Sequence, residues 1–192
     1  GWHLEHAAWQ HGVTAANRQA FVADGASVNW SIHRRHFSQM TPVLDLMHAL
    51  SYAHQAATEQ GIRGQYRGYA EWIWQGRVAD VISDLKQQAS SHPPPDAESD
   101  QPDPLKHTRR AQTYYENNQQ RMDYPGYRRE GLSLTSSHIE SAIKQINLRI
   151  KGTEKFWNQP TAESLLQLRA DSLSDSDPLQ RFWLRSQANQ KG

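Results

Sequence analysis

Ala20-Phe21-Val22-Ala23-Asp24-Gly25 is the stretch on which the fold class turns. A short apolar run closed by Asp-Gly reads as a buried strand entering a turn. Pro42-Val43-Leu44-Asp45-Leu46 reads as a second buried strand that converts into a helix. Met47, Leu50, Ala53 and Ala57 keep helical spacing there until Gly61 stops them. Outward from these two runs, the chain reads as helix and connection. Residues 3–17 form a weak helix, and a short helix spans Trp30–Phe37. Tyr66, Tyr69, Trp72 and Ile73, then Val78, Val81, Ile82 and Leu85, define two helical faces that part near Gly76. Residues 90–104 hold five prolines and no large apolar side chain, the composition of a linker or mobile loop. A polar helix over 106–120 and a loop over Arg121–Arg129 follow. Ile139, Ala142, Ile143, Ile146 and Ile150 then make one apolar helical stripe, opposite Lys144, Asn147 and Lys151. Helices over 161–172 and 178–185 close the chain, the second anchored by Phe182 and Trp183. The expected fold is α/β, mostly helical, with few strands.

Composition narrows the function classes. The 192 residues suffice for one domain with an appendage. Apolar content is 36% and mean hydropathy −0.87, so seven Trp and seven Tyr must carry much of the buried area. The net charge of +1 hides an uneven distribution. Residues 92–104 carry four acids and no Lys or Arg, whereas residues 106–160 carry ten Lys/Arg against five acids. Such a local excess suits a surface facing phosphates, and equally a solvated helical face. Without cysteine, disulfides and thiolate metal sites are excluded. No apolar run approaches the ~18 residues of a membrane span, and no signal peptide opens the chain. A cytoplasmic protein with no membrane partner is therefore expected.

Three short patterns carry candidate chemistry. Asp24 is either a turn aspartate or a carboxylate at the carboxyl end of a buried strand, where open α/β sheets place ligands. Asp45 and His48 share a helix face; they form either an N-cap with a semi-buried histidine or a carboxylate–imidazole pair beside a scissile phosphate. Ser137-His138-Ile139-Glu140 is a capping box, which by itself leaves Glu140 no catalytic task. His33 and His36 lack a cysteine or third close ligand for zinc.

The ordered set resembles the DDE transposases of bacterial insertion sequences, particularly those allied to the Mutator superfamily. Phe21-Val22-Ala23-Asp24-Gly25-Ala26 is similar to the block around their second Asp. Leu44-Asp45-Leu46-Met47-His48 is similar to their x-x-His signature, and Ser136-Ser137-His138-Ile139-Glu140-Ser141 to the block around their final Glu. A basic run from Arg149 to Trp157 and the leucine-rich stretch Ala162–Ala170 look like the downstream continuation, so the resemblance covers roughly residues 20–185. It implies a partial RNase H-like core over 1–48, a helical insertion over 49–133, and a C-terminal catalytic helix with closing helices over 134–192. It also implies that Asp24 and Glu140 hold two Mg²⁺ or Mn²⁺ ions, with Asp45 and His48 in the catalytic set. One ion would activate water or a DNA 3′-hydroxyl, and the other would stabilise the leaving oxygen. DNA contacts are implied for Lys144, Arg149, Lys151 and Lys155, with Trp157 as a stacking residue or a core residue. Arg121, Arg128 and Arg129, interleaved with Tyr124 and Tyr127, offer a second contact or an ordinary exposed loop. Transposon ends and target DNA are the implied partners, and joining two ends favours a homo-oligomer.

The first Asp of the family has no counterpart, since Glu5 is the only acid before Asp24 and the chain opens on Gly1. The expectation is a truncated transposase, inactive alone. Its chief rival is a non-catalytic basic helical DNA-binding protein, which binds with salt dependence but without metal dependence. A metal-dependent nuclease unrelated to transposition and a purely structural helical domain complete the alternatives.

Overall fold

Two four-residue strands, β1 (Ala20–Ala23) and β2 (Thr41–Leu44), pair in parallel with Val22 opposite Val43 and Ala23 opposite Leu44. Parallel neighbours need a crossover, and α2 (Ser27–His36) supplies it. The computed structural model describes residues 1–61, 64–92, 95, 102–137, 141, 143–145, 156–174 and 177–189. Residues 1–136 and 137–192 form two separate units. The chain is mostly helical with this one small sheet among its described residues.

Each strand of a two-stranded sheet has an edge without a partner, and the outer edge of β2 is closed by side chains. The hydroxyls of Tyr127 and Tyr124 donate to the carbonyls of Pro42 (3.2 Å) and Leu44 (3.1 Å). Pro42 offers no N–H, which an edge strand tolerates. Both tyrosines belong to a helix, Tyr124–Arg129, where the sequence suggested a loop. Asp123 starts this helix by accepting from the Gly126 N–H, and Pro125 fits its first turn. Burial of the two rings pushes both phenol pKa values up, so both remain donors.

The rest of the first unit is helical. It begins with α1 (Trp2–Gln10), and α3 (Leu46–Glu59), α4 (Gln65–Trp74), α5 (Val78–Ser91) and α6 (Lys106–Asn118) pack against one another. The helix Tyr124–Arg129 is α7. On α3 the buried face is Leu46, Ala49, Ala53, Ala56 and Ala57, a helical period of mostly small residues. This small-residue face lets α6 pack close with Thr108, Ala111, Tyr115 and Asn118. Tyr115 is fully buried and donates to the Ala49 carbonyl at 2.7 Å. On α5 the apolar face expected from the sequence is present as Val78, Val81, Ile82 and Leu85. The phenol of Tyr69 on α4 donates to Asp84 at 2.6 Å, and burial pushes its pKa up to about 12.

The second unit contains α8 (Gln159–Leu173) and α9 (Pro178–Asn189). Phe182 and Trp183 are more than half exposed, so they do not anchor α9 as the sequence suggested. Within the apolar stripe 139–150, Ile143 is described, and it is half exposed. Residues 139, 142, 146 and 150 lie outside the described residues, as does most of the expected linker 90–104. Among the described residues no helix is long and apolar enough to cross a membrane.

No side chain of its own caps α6. Glu59, at the end of α3, does so from 48 or 49 residues away. Its carboxylate accepts from the N–H groups of His107 and Thr108 and from Thr108 Oγ1, each at 2.9 Å. A carboxylate there also opposes the helix dipole. Replacing Glu59 with Ala is expected to lower stability by about 1–3 kcal/mol, and Glu59→Gln by less. Urea unfolding measures both, and an unchanged midpoint in Glu59→Ala would show that this cap contributes nothing.

Candidate active site

The strand register places Asp24 and Asp45 side by side, each one residue beyond the last pair, Ala23 and Leu44. The Asp45 N–H still bonds the Ala23 carbonyl at 2.8 Å. Ligand sites in α/β sheets gather at this carboxyl end. The two aspartates nevertheless have opposite surroundings.

Asp45 is fully buried, and both oxygens are engaged. Oδ1 caps α3 by accepting from the N–H groups of Met47 (2.8 Å) and His48 (3.1 Å). Oδ2 accepts from Ser136 twice, through the backbone N–H and through Oγ, each at 2.6 Å. The segment before Ser136 is tied down as well, since the Leu46 N–H donates to the Leu134 carbonyl at 2.9 Å. His48 Nδ1 lies 3.5 Å from Asp45 Oδ1, so the expected pair is in contact. Burial pushes the Asp45 pKa up, but the bonds from Ser136 and from the His48 N–H outweigh it and hold the group below its usual value. Asp45 thus takes the N-cap role.

Asp24 is exposed. Its Oδ1 accepts from the Ala26 N–H (3.0 Å) and from Asn29 Nδ2 (2.9 Å), which orients the carboxylate, while Oδ2 has no hydrogen bond among the described residues. The Asp24 carbonyl accepts from the Tyr114 hydroxyl at 2.8 Å. Gly25 has φ +95°, and a Cβ at this position meets the Tyr114 ring at 2.7 Å, so the turn needs glycine.

Beside Gly25 opens a cleft of about 620 Å³ between α2 and α6. Arg34, Arg110 and Arg121 line it with Trp30, Tyr52 and Tyr114. The Tyr52 and Tyr114 rings stack in parallel, with centroids 3.8 Å apart.

The remaining predicted site residues are scattered or undescribed. Glu140, Arg149, Lys151 and Lys155 lie outside the described residues. Lys144 is exposed on helical residues 143–145, and Trp157 is 43% exposed. Arg128 lies over the Trp74 ring at 3.7 Å and donates to the Trp74 carbonyl, while Arg129 is exposed at the end of α7. His33 bonds the Met40 carbonyl and His36 bonds Glu5, which turns both rings to structural tasks. Among the described residues no group of three or more His, Asp or Glu could hold a metal ion. Asp24 alone offers an open carboxylate oxygen at the strand ends, so the described residues do not compose a two-ion centre.

Sequence reasoning missed Ser136 as the partner of Asp45, Tyr114 as the support of Asp24, and Arg34 and Arg110 of the cleft, although it offered Arg121 as a DNA contact. Ser136 did stand in a quoted motif, but nothing in local spacing pairs it with a residue 91 positions away. Compared with protein-family models, curated proteins and solved structures, the chain matches none.

The Asp45 bonds generate a pH prediction. A depressed folded pKa means stability that is present above the unfolded value, ~3.9, and lost as pH falls through the folded one. Asp45→Asn keeps the acceptor for α3 but presents an amide to the Ser136 N–H. It should cost on the order of 2–4 kcal/mol at pH 7. Urea titrations from pH 7 downward should show this gap narrowing below pH ~4. A gap independent of pH would deny that the charge of Asp45 matters.

Proposed function

We propose that this chain acts on DNA as part of a DDE-type transposase, with Asp24 as a catalytic carboxylate. The observation that carries the reading is Asp24 itself. It is an oriented carboxylate with one open oxygen at the carboxyl end of a parallel strand pair, beside a cleft lined by three arginines. The order of the three sequence patterns supports the same reading, as does the fully bonded Asp45 in the position of the x-x-His signature. In this reading the strand pair belongs to an RNase H-like core and Glu140 is the second carboxylate. Dependence on Mg²⁺ or Mn²⁺ is part of the proposal, with Asp24 as the described ligand. The substrates are transposon ends and target DNA, and joining two ends calls for more than one copy of the chain.

Within it, the residues of this chain have distinct tasks. Ala26 and Asn29 fix the rotamer of Asp24, so its open oxygen is presented without a search among conformers. Tyr114 fixes the backbone beneath it. Lys144, Arg149, Lys151, Lys155, Arg128 and Arg129 add positive charge for phosphates, which positions DNA without reading sequence. The second reading, a non-catalytic DNA-binding protein, is favoured by one observation: the cleft presents three arginines and needs no metal to attract phosphates.

Mn²⁺ separates the two readings. Titrated into ¹⁵N-labelled protein, it should broaden the amide signals of residues 24–29 first. Asp24→Asn, which keeps the Oδ1 acceptor and the fold, should weaken this at least about tenfold. The same substitution should abolish any Mg²⁺-dependent cleavage of duplex DNA. DNA binding without localised broadening or metal dependence leaves the non-catalytic reading.

A further inference from the structure

Among the described residues, charge at the cleft beside Asp24 is not balanced by an acid as it is at Arg109. Arg109 on α6 is saturated: Asp103 accepts from it through both oxygens, at 2.9 and 2.7 Å, and the carbonyls of Ala89 and His92 take further N–H groups. Its neighbour Arg110 turns to the cleft and has no carboxylate; its one hydrogen bond runs to the Tyr52 hydroxyl at 3.3 Å. Among the described residues, Arg34 bonds only Ser31 Oγ, at 3.0 Å, and Arg121 only the Asn117 carbonyl, at 3.1 Å. Among the described residues none of the three is paired with an acid. A guanidinium has five N–H donors, so most of theirs remain unused.

Two of the three lie over aromatic rings. Arg121 lies over Trp30 at 4.5 Å from the ring centroid, and Arg110 over Tyr52 at 5.2 Å. A cation over a ring face is attracted by the ring quadrupole without using up its N–H donors. Arg121 is also partly buried close to Arg34, and burial followed by the charge of Arg34 lowers its pKa. Two like charges kept together without an acid are relieved by an anion, and phosphate matches the guanidinium fork. Ser27 and Thr113 add hydroxyls to the walls.

Size and lining select the form of the anion. A cleft of about 620 Å³ accommodates a nucleotide or two, whereas a duplex presents a major groove alone ~12 Å wide. Arginines alternating with Trp30, Tyr52 and Tyr114 reproduce the combination that grips single strands, a cationic track with aromatic faces. We propose that Arg34, Arg110 and Arg121 bind consecutive phosphates of a single DNA strand and lead that strand past Gly25 to Asp24. The proposal rests on the DNA reading above and specifies it, since it assigns the cleft to an unpaired strand.

Fluorescence anisotropy with a labelled twelve-nucleotide oligo-dT and a matched duplex tests it on the full chain. The single strand should bind more tightly than the duplex. Arg34→Gln, Arg110→Gln and Arg121→Gln should each weaken single-strand binding about tenfold and flatten the plot of log K against log salt by ~0.7 per lost contact. Arg67→Gln, on the exposed face of α4, should leave binding nearly unchanged. Crosslinks from 5-bromodeoxyuridine oligonucleotides on the unaltered chain should map to peptides containing Tyr52, Tyr114 or Trp30, which guards against variants that fail to fold. Binding that ignores the three substitutions, a preference for duplex, or crosslinks elsewhere overturns the proposal. Cleft-dependent binding of single strands without Mn²⁺ at Asp24 keeps the cleft and removes the transposase reading. Mn²⁺ at Asp24 with binding indifferent to the cleft does the reverse.

Discussion

A carboxylate withdrawn from water survives only where hydrogen bonds replace its hydration, and Asp45 meets that condition with four of them. Its position is what gives those bonds structural reach. They join the end of β2 and the first turn of α3 to the segment that leads to Ser136, which the Leu46 N–H also holds through the Leu134 carbonyl. Removing one partner would leave a buried charge short of donors, which costs more than the bond contributes when intact. The strand ends, and with them Asp24, are therefore held from the inside by a residue that itself does no chemistry in this reading.

The sheet that carries them is small. Two strands of four residues give little cooperative pairing, and helices must finish what strands leave open. On one side α7 sends two tyrosine hydroxyls to the carbonyls of β2. On the other, Tyr114 reaches across from α6 to the Asp24 carbonyl, and the seam of alanines on α3 brings α6 close enough to do so. Tyrosine is suited to this task because one residue supplies both apolar area and a polar tip. The seven tyrosines that low apolar content made conspicuous in the sequence are in good part employed this way.

Elements whose signal is local were legible. Ala20–Ala23 was readable because apolar residues run straight into Asp-Gly, and α5 because Val78, Val81, Ile82 and Leu85 repeat at helical spacing. Segment Arg121–Arg129 was not, because Tyr124-Pro125-Gly126 looks like a turn until Asp123 is seen to cap it and the sheet edge is seen to need its tyrosines. The N-cap at Asp45 was legible as one of two options, while its second partner, Ser136, was not, since a bond across 91 residues leaves no trace in spacing. Charge was legible in sum and not in place. The basic excess over 106–160 includes Arg109, which Asp103 neutralises, and Arg110, which no acid among the described residues does. One residue of helical rotation separates the two.

The coupling between cleft and carboxylate follows from the same packing. Tyr52 stacks on Tyr114, Arg110 lies over Tyr52, and the Tyr114 hydroxyl holds the Asp24 carbonyl. Gly25 lacks the Cβ that would collide with the Tyr114 ring, so the turn after β1 sits directly against this stack. An anion drawn to Arg110 thus bears on the ring pair that sets the backbone of Asp24. In the reading proposed above, the cleft arginines bring a phosphate toward the metal that Asp24 would hold, and the same tyrosine stack supports both groups.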